Sequence, residues 1–155
     1  MPKGVGMWPA FWMLGTDIKS NPWPACGEID IVEAKGASPR LAFGTVHGPG
    51  YSGGDGIGGL TTLKTLNHSS FNVYAIEWKP DQIRWLVNDK VFFTLNKEDV
   101  GANEWVFNKE YYLVLNVAVG GYFTGEIDPD LKSGSMSIDY IRAYSLDGVG
   151  KVTKY

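Results

Sequence analysis

Residues 27–34 read GEIDIVEA, setting three carboxylates, Glu28, Asp30 and Glu33, among Ile29, Ile31 and Val32. In an extended strand, side chains alternate between faces, so Glu28 and Asp30 share one and Val32 is next on it. Glu33 is one residue late. A β-bulge between Asp30 and Glu33 absorbs one residue and returns Glu33 to the face of the other two. The two glutamate Cα atoms then lie about 13 Å apart, and side chains leaning inward cover much of that distance. This permits the roughly 5–5.5 Å carboxyl separation of a nucleophile and an acid/base that together cleave a glycosidic bond with retention. Three carboxylates in a partly dry groove cannot all ionise cheaply, so at least one holds its proton, with Asp30 setting which. A solvated acidic strand face is the bland alternative, against which the interleaved apolar residues argue. A calcium cluster is a third reading, weakened by the lack of Asn- or Asp-rich loop ligands nearby.

The elements that must position these groups read as strands. Runs at 7–14, 28–34, 41–47, 71–79, 83–87, 91–95, 111–119 and 136–144 are rich in β-branched and aromatic residues, and Gly, Pro, Asn or Asp clusters separate them. Residues 83–95 form a hairpin pattern around Asn88-Asp89-Lys90, and 97–105 holds a turn of helix at most. Short strands at this spacing predict an all-β antiparallel sandwich. The segment GPGYSGGDGIGG (48–59) contains seven glycines and reads as a loop. Without a following helix or a basic residue it is not a phosphate cradle.

The 155 residues suit a single domain spanning 1–155. A net charge of -3 offers no basic stripe for nucleic acid, and no apolar run is long enough for a membrane span. The start, MPKGVGMWP, lacks the apolar stretch of a signal peptide. Cys26 is the lone cysteine, so no intrachain disulfide forms, and it reads as a small structural side chain. The 6 Trp, 8 Tyr and 7 Phe suggest a turn-rich β protein in which some exposed rings suit the apolar faces of sugars, though an aromatic-rich core must account for most of them.

The stretches GVGMWPAFWMLG (4–15), GEIDIVEAKG (27–36), FGTVHGPGYSGG (43–54), YAIEWKPDQIRWLVND (74–89), YYLVLNVAVGGYFTG (111–125) and SIDYIRAYS (137–145) together resemble glycoside hydrolase family 16, the laminarinase-like β-glucanases. The resemblance covers nearly the whole chain. It implies a concanavalin-like β-jelly roll and retaining endo-hydrolysis of β-1,3-glucan, with Glu28 as nucleophile, Asp30 as assisting acid and Glu33 as general acid/base. The five-residue spacing of the two Glu residues matches the bulged, laminarinase-type members. The resemblance also puts Trp8 and Trp12 in the sugar cleft, His47 facing the catalytic centre and Asn116 near the cleft. It matches Asp139 to an acid that ligates a structural calcium, with no cofactor for catalysis. It further implies an extracellular, monomeric protein whose partner is a β-glucan.

Two departures stand out. Tyr122-Phe123-Thr124 follow LNVAVGG where the family often has Trp-Pro, which changes stacking at one subsite. Family domains also carry strands ahead of the WPAFW segment, so the jelly roll is expected to be incomplete at its N-terminus, with exposed edges. A mixed-linkage β-1,3-1,4-glucanase and a non-catalytic glucan-binding module are the alternative functions. The intact carboxylates argue against the module.

Overall fold

A computed structural model describes residues 1–153. Eight strands form: β1 (Met7–Gly15), β2 (Glu28–Glu33), β3 (Leu41–His47), β4 (Ile57–Thr62), β5 (Tyr74–Lys79), β6 (Gln82–Val87), β7 (Lys90–Asn96) and β8 (Tyr111–Val119). They build a five-stranded sheet ordered β4-β3-β2-β1-β8 and a three-stranded sheet ordered β5-β6-β7. Every pairing is antiparallel. The all-β antiparallel architecture expected from the sequence is thus the one observed.

Period-two alternation sorts side chains between the faces. In β3, Ala42, Gly44 and Val46 are buried between the sheets, while Phe43, Thr45 and His47 turn to the outer face. β6 repeats the pattern, burying Ile83, Trp85 and Val87. The core joins Met13, Ile29, Ile31 and Val46 of the first sheet to Ile83, Trp85 and Leu95 of the second, with Val106 and Phe107 closing one end.

The sheets meet closely because two glycines face two aromatic rings. Gly44 pairs with Gly59 across β3 and β4, and Trp85 pairs with Phe93 across β6 and β7. A Cβ on Gly44 would lie 2.3 Å from Trp85 Cδ1, and one on Gly59 would lie 2.8 Å from Phe93 Cβ. Only a strand without side chains there lets the rings lie flat against the backbone. At the β6–β7 hairpin, Asn88 (φ 49°) and Asp89 (φ 62°) both take left-handed conformations, the two-residue turn whose twist matches its strands.

Two expectations need correction. Residues 136–144 pair with no strand among the described residues. Alternation specifies a face but not a partner, and a strand exists only where another edge supplies hydrogen bonds. Met136–Ile141 instead border a groove with Phe11, Val32, Phe71 and Leu115, leaving Ile138, Tyr140 and Ile141 exposed. Conversely, the glycine-rich stretch at 48–59 is not all loop, since β4 begins at Ile57. Its Gly58 and Gly59 carry no β propensity; β3's free edge imposes the extended shape on them.

Candidate active site

β2 is bulged where its acids fall out of phase. Against β3, Asp30 pairs with Thr45 and Glu33 with Phe43, so Ile31 and Val32 together oppose Gly44. Against β1, the register also shifts, from Trp12↔Asp30 to Phe11↔Val32. Three cross-strand rows result on the sheet's outer face: Leu14–Glu28–His47, Trp12–Asp30–Thr45 and Ala10–Glu33–Phe43. Asn116 of β8 lies opposite Ala10 and extends the third row. The expected bulge is present, and Glu33 faces the same side as Glu28 and Asp30.

Each glutamate is held by a tryptophan. Trp8 donates its indole N–H to Glu33 Oε1 at 2.9 Å, and Trp23 donates to Glu28 Oε2 at 2.7 Å. The Thr45 hydroxyl adds a 3.4 Å bond to Glu33 Oε2. His47 Nε2 lies 3.2 Å from Asp30 Oδ2 and 3.9 Å from Glu28 Oε1. The Asp30 contact is a close approach that does not meet hydrogen-bond geometry, since Asp30 Oδ2 has no hydrogen-bond partner. Trp12 donates to Asn116 Oδ1 at 2.8 Å, tying β1 to β8.

Burial sets the electrostatics. Asp30 is 3% exposed and Glu33 8%. Burial, then the Asp30 charge, pushes the Glu28 carboxyl up to about 7. Burial, then Glu33, raises Asp30 well above the usual carboxylate range. Burial also raises Glu33, while the Trp8 bond works against that rise. Such a cluster keeps part of its protons near neutrality, so it holds both a carboxylic acid and a carboxylate on one face.

The structure therefore gathers Glu28, Asp30, Glu33, Trp8, Trp12, His47 and Asn116 on one sheet face. Asp139 is elsewhere, exposed beside the groove that Phe11 and Val32 border. Among the described residues, the only group of three or more His, Cys, Asp or Glu side chains close enough to share a cation is Glu28, Asp30 and His47. One exposed carboxylate does not supply the six to eight oxygens calcium takes, so no calcium enters the chemistry below. Cys26 is buried and burial pushes its thiol up, in keeping with a structural side chain.

Sequence reasoning missed Trp23 and Thr45, and marked Phe123 only as part of a departure that changes stacking at one subsite. Trp23 is in an irregular segment with no periodicity to mark it; only its closeness to Glu28 in the chain was a signal. Thr45 was legible once β3 was paired with β2, because it lies opposite Asp30. Phe123 packs 5.0 Å from Trp8 and 5.2 Å from Phe43, centroid to centroid, and Lys35 Nζ sits 4.1 Å above its ring.

The sequence profile of glycosyl hydrolases family 16 matches residues 1–142. The chain belongs to glycosyl hydrolases family 16. Its relatives in that family include the β-glucanase of Rhodothermus marinus, 38% identical over 155 residues, with 93% of this chain and 54% of that protein covered. Among solved structures, the endo-β-1,3-glucanase from Pyrococcus furiosus is 50% identical with a TM-score of 0.80, covering 84% of this chain and 51% of that one. The laminarinase catalytic domain from Thermotoga maritima is 43% identical with a TM-score of 0.82, covering 86% and 55%. The chain thus spans about half the length of these three proteins.

Among the described residues, no helix is long and apolar enough to cross a membrane.

Proposed function

We propose that this family 16 chain is an endo-β-1,3-glucanase that cleaves laminarin-type glucans with retention of anomeric configuration. The observation that carries the reading is the bulge that returns Glu33 to the face of Glu28, each carboxylate gripped by a tryptophan N–H. The names of the relatives, an endo-β-1,3-glucanase and a laminarinase, support the substrate class.

In the first step Glu28 attacks the anomeric carbon while Glu33 gives its proton to the departing glycosidic oxygen. A covalent glycosyl–enzyme ester forms and the C–O bond to the leaving sugar breaks. In the second step Glu33, now ionised, takes a proton from water, which attacks the same carbon and releases Glu28. Asp30 makes the assignment workable. It is the most buried of the three, so it carries the proton that the Glu28–Asp30 pair shares. With Asp30 neutral, the repulsion that helps push Glu28 to about 7 is gone, and Glu28 ionises more readily. The Glu28 charge in turn raises Glu33, keeping the proton where the leaving group needs it. A polymeric glucan cannot readily enter cells, so an extracellular site of action accompanies this reading.

The test is release of reducing ends from laminarin by the wild-type chain against Glu28→Gln, with the first-formed anomer read by proton NMR. The β-anomer from the wild type and none from the variant is expected; equal release by both sinks the assignment. Glucan retention on affinity gels without cleavage by either would favour a binding module. Faster cleavage of mixed β-1,3-1,4-glucan than of laminarin would move the linkage preference.

A further inference from the structure

The bulge in β2 is the one irregularity on which the site depends, and a residue of the other sheet touches it. Trp85, fully buried in β6, donates its indole N–H to the main-chain oxygen of Asp30 at 2.8 Å. Asp30 is the last residue paired in register before the bulge. Gly44, the one β3 residue opposite the bulge, makes this contact feasible: a Cβ there would lie 2.7 Å from Trp85 Nε1.

We propose that Trp85 is a positioning residue, whose indole N–H pins the Asp30 carbonyl and fixes the bulge that turns Glu33 onto the face of Glu28. Trp85 touches no substrate. It acts through the backbone of the strand that carries the acids. A bulge disrupts the ladder locally, and a donor from the facing sheet aimed at a carbonyl beside it holds the strand in that shape. Trp85 supplies that donor. Without that bond, β2 is freer to shift its backbone, and a one-residue change in register moves a side chain to the other face. The residue at risk is Glu33, which follows the bulge; Glu28 precedes it and keeps its regular pairing with His47. The catalytic part of this inference rests on the glucanase reading, while its structural part does not.

The first experiment needs no activity. Trp8 Nε1–H is bonded to Glu33 after the bulge, whereas Trp23 Nε1–H is bonded to Glu28 before it and Trp12 Nε1–H to Asn116 on another strand. In a proton–nitrogen NMR spectrum of Trp85→Phe, the Trp8 indole signal moves toward its solvent-exposed position while those of Trp12 and Trp23 stay. Benzothienylalanine at position 85, which keeps the bicyclic shape but has sulfur in place of N–H, does the same if Trp85→Phe proves too unstable. An unmoved Trp8 signal, or equal movement of all three, overturns the proposal.

The second experiment separates positioning from general damage. On laminarin, Trp85→Phe lowers kcat about 10²-fold with little change in KM, the scale of an acid misplaced by about 1 Å. An aryl β-laminaribioside with a dinitrophenolate leaving group needs no protonation, so its kcat/KM, which reports attack by Glu28, is retained. Equal losses on both substrates would mean that Trp85 only stabilises the fold. If the wild type cleaves neither substrate, the glucanase reading fails, and the indole signals still decide whether Trp85 sets the bulge.

Discussion

Trp8 reaches from β1 to β2 and donates its indole N–H to Glu33 Oε1 at 2.9 Å, the contact that opposes the rise in Glu33's pKa caused by burial. A donor to the ionised form stabilises it, so removing the donor raises the pKa further. Trp8→Phe keeps a ring against Phe123 but has no N–H. As the proposed general acid, Glu33 must be protonated, so the alkaline limb of the kcat/KM profile moves to higher pH by about half a unit or more. An alkaline limb that stays put or moves down would show that Glu33 is not the group titrating there.

Stability should fall as pH rises through the range in which the folded site still holds its protons. Glu28 titrates near 7 in the fold against 4.5 ordinarily, so the folded chain binds more protons than the unfolded one between those values. The slope of unfolding free energy with pH is therefore negative across that window, and the penalty is complete above about pH 7. Glu28→Gln cannot ionise and escapes it. The variant is expected to be more stable than wild type at pH 8, by about 1–3 kcal/mol depending on how far Asp30 stays neutral, with the difference vanishing near pH 4. Urea melts at the two pH values measure this. A variant less stable than wild type at pH 8 would contradict it.

Gly44→Ala probes the seam between the sheets. The new methyl would lie 2.3 Å from Trp85 Cδ1, and neither the fully buried indole nor the strand opposite the bulge has room to retreat. Overpacking of this kind costs about 1–3 kcal/mol. Gly101→Ala is a useful contrast: nothing lies within 4 Å of a Cβ there, and its φ of 63° makes backbone strain the sole cost. In a Trp85→Phe background the smaller ring leaves space, so the cost of Gly44→Ala should shrink, and a double-mutant cycle reads the difference. Additive costs would mean that the two side chains do not compete for one space.

Much of this site was legible in the sequence because its defining feature is a phase error. Glu33 is one residue late, and a strand has few ways to absorb a single residue. The strands β1, β2, β3 and β8 announced themselves by alternation and aromatic content, and pairing them places Trp12, His47 and Asn116 beside the acids. The rest was illegible for physical reasons. Trp23 approaches Glu28 from an irregular segment, where no periodicity predicts orientation. β4 is strand because a neighbour's edge makes it so, not because Gly58 and Gly59 prefer it. Residues 136–144 show the converse, since their alternation is clear and no edge among the described residues takes them up. Trp85 lies in the run at 83–87 with nothing in the sequence to single it out; its bond to the Asp30 carbonyl depends on sheet packing, which a local pattern does not encode.

Trp23 gives the counterpart to Trp8. It donates to Glu28 Oε2 at 2.7 Å and favours the ionised form of the proposed nucleophile. Trp23→Phe therefore raises the Glu28 pKa, and since Glu28 must be ionised to attack, the acidic limb of kcat/KM moves up by about half a pH unit. Because Trp23 is 44% exposed, solvent replaces part of the lost bond, and its effect should be the smaller of the two. The two substitutions thus act on opposite limbs. Trp23→Phe alone narrows the bell from the acidic side, Trp8→Phe alone widens it on the alkaline side, and the double variant slides the whole profile to higher pH. Glu28 and Glu33 feel one another's charge, so the double shift should depart somewhat from the sum of the singles. Profiles measured at constant ionic strength on laminarin distinguish these cases. If Trp23→Phe instead moved the alkaline limb, the roles of Glu28 and Glu33 would have to be exchanged.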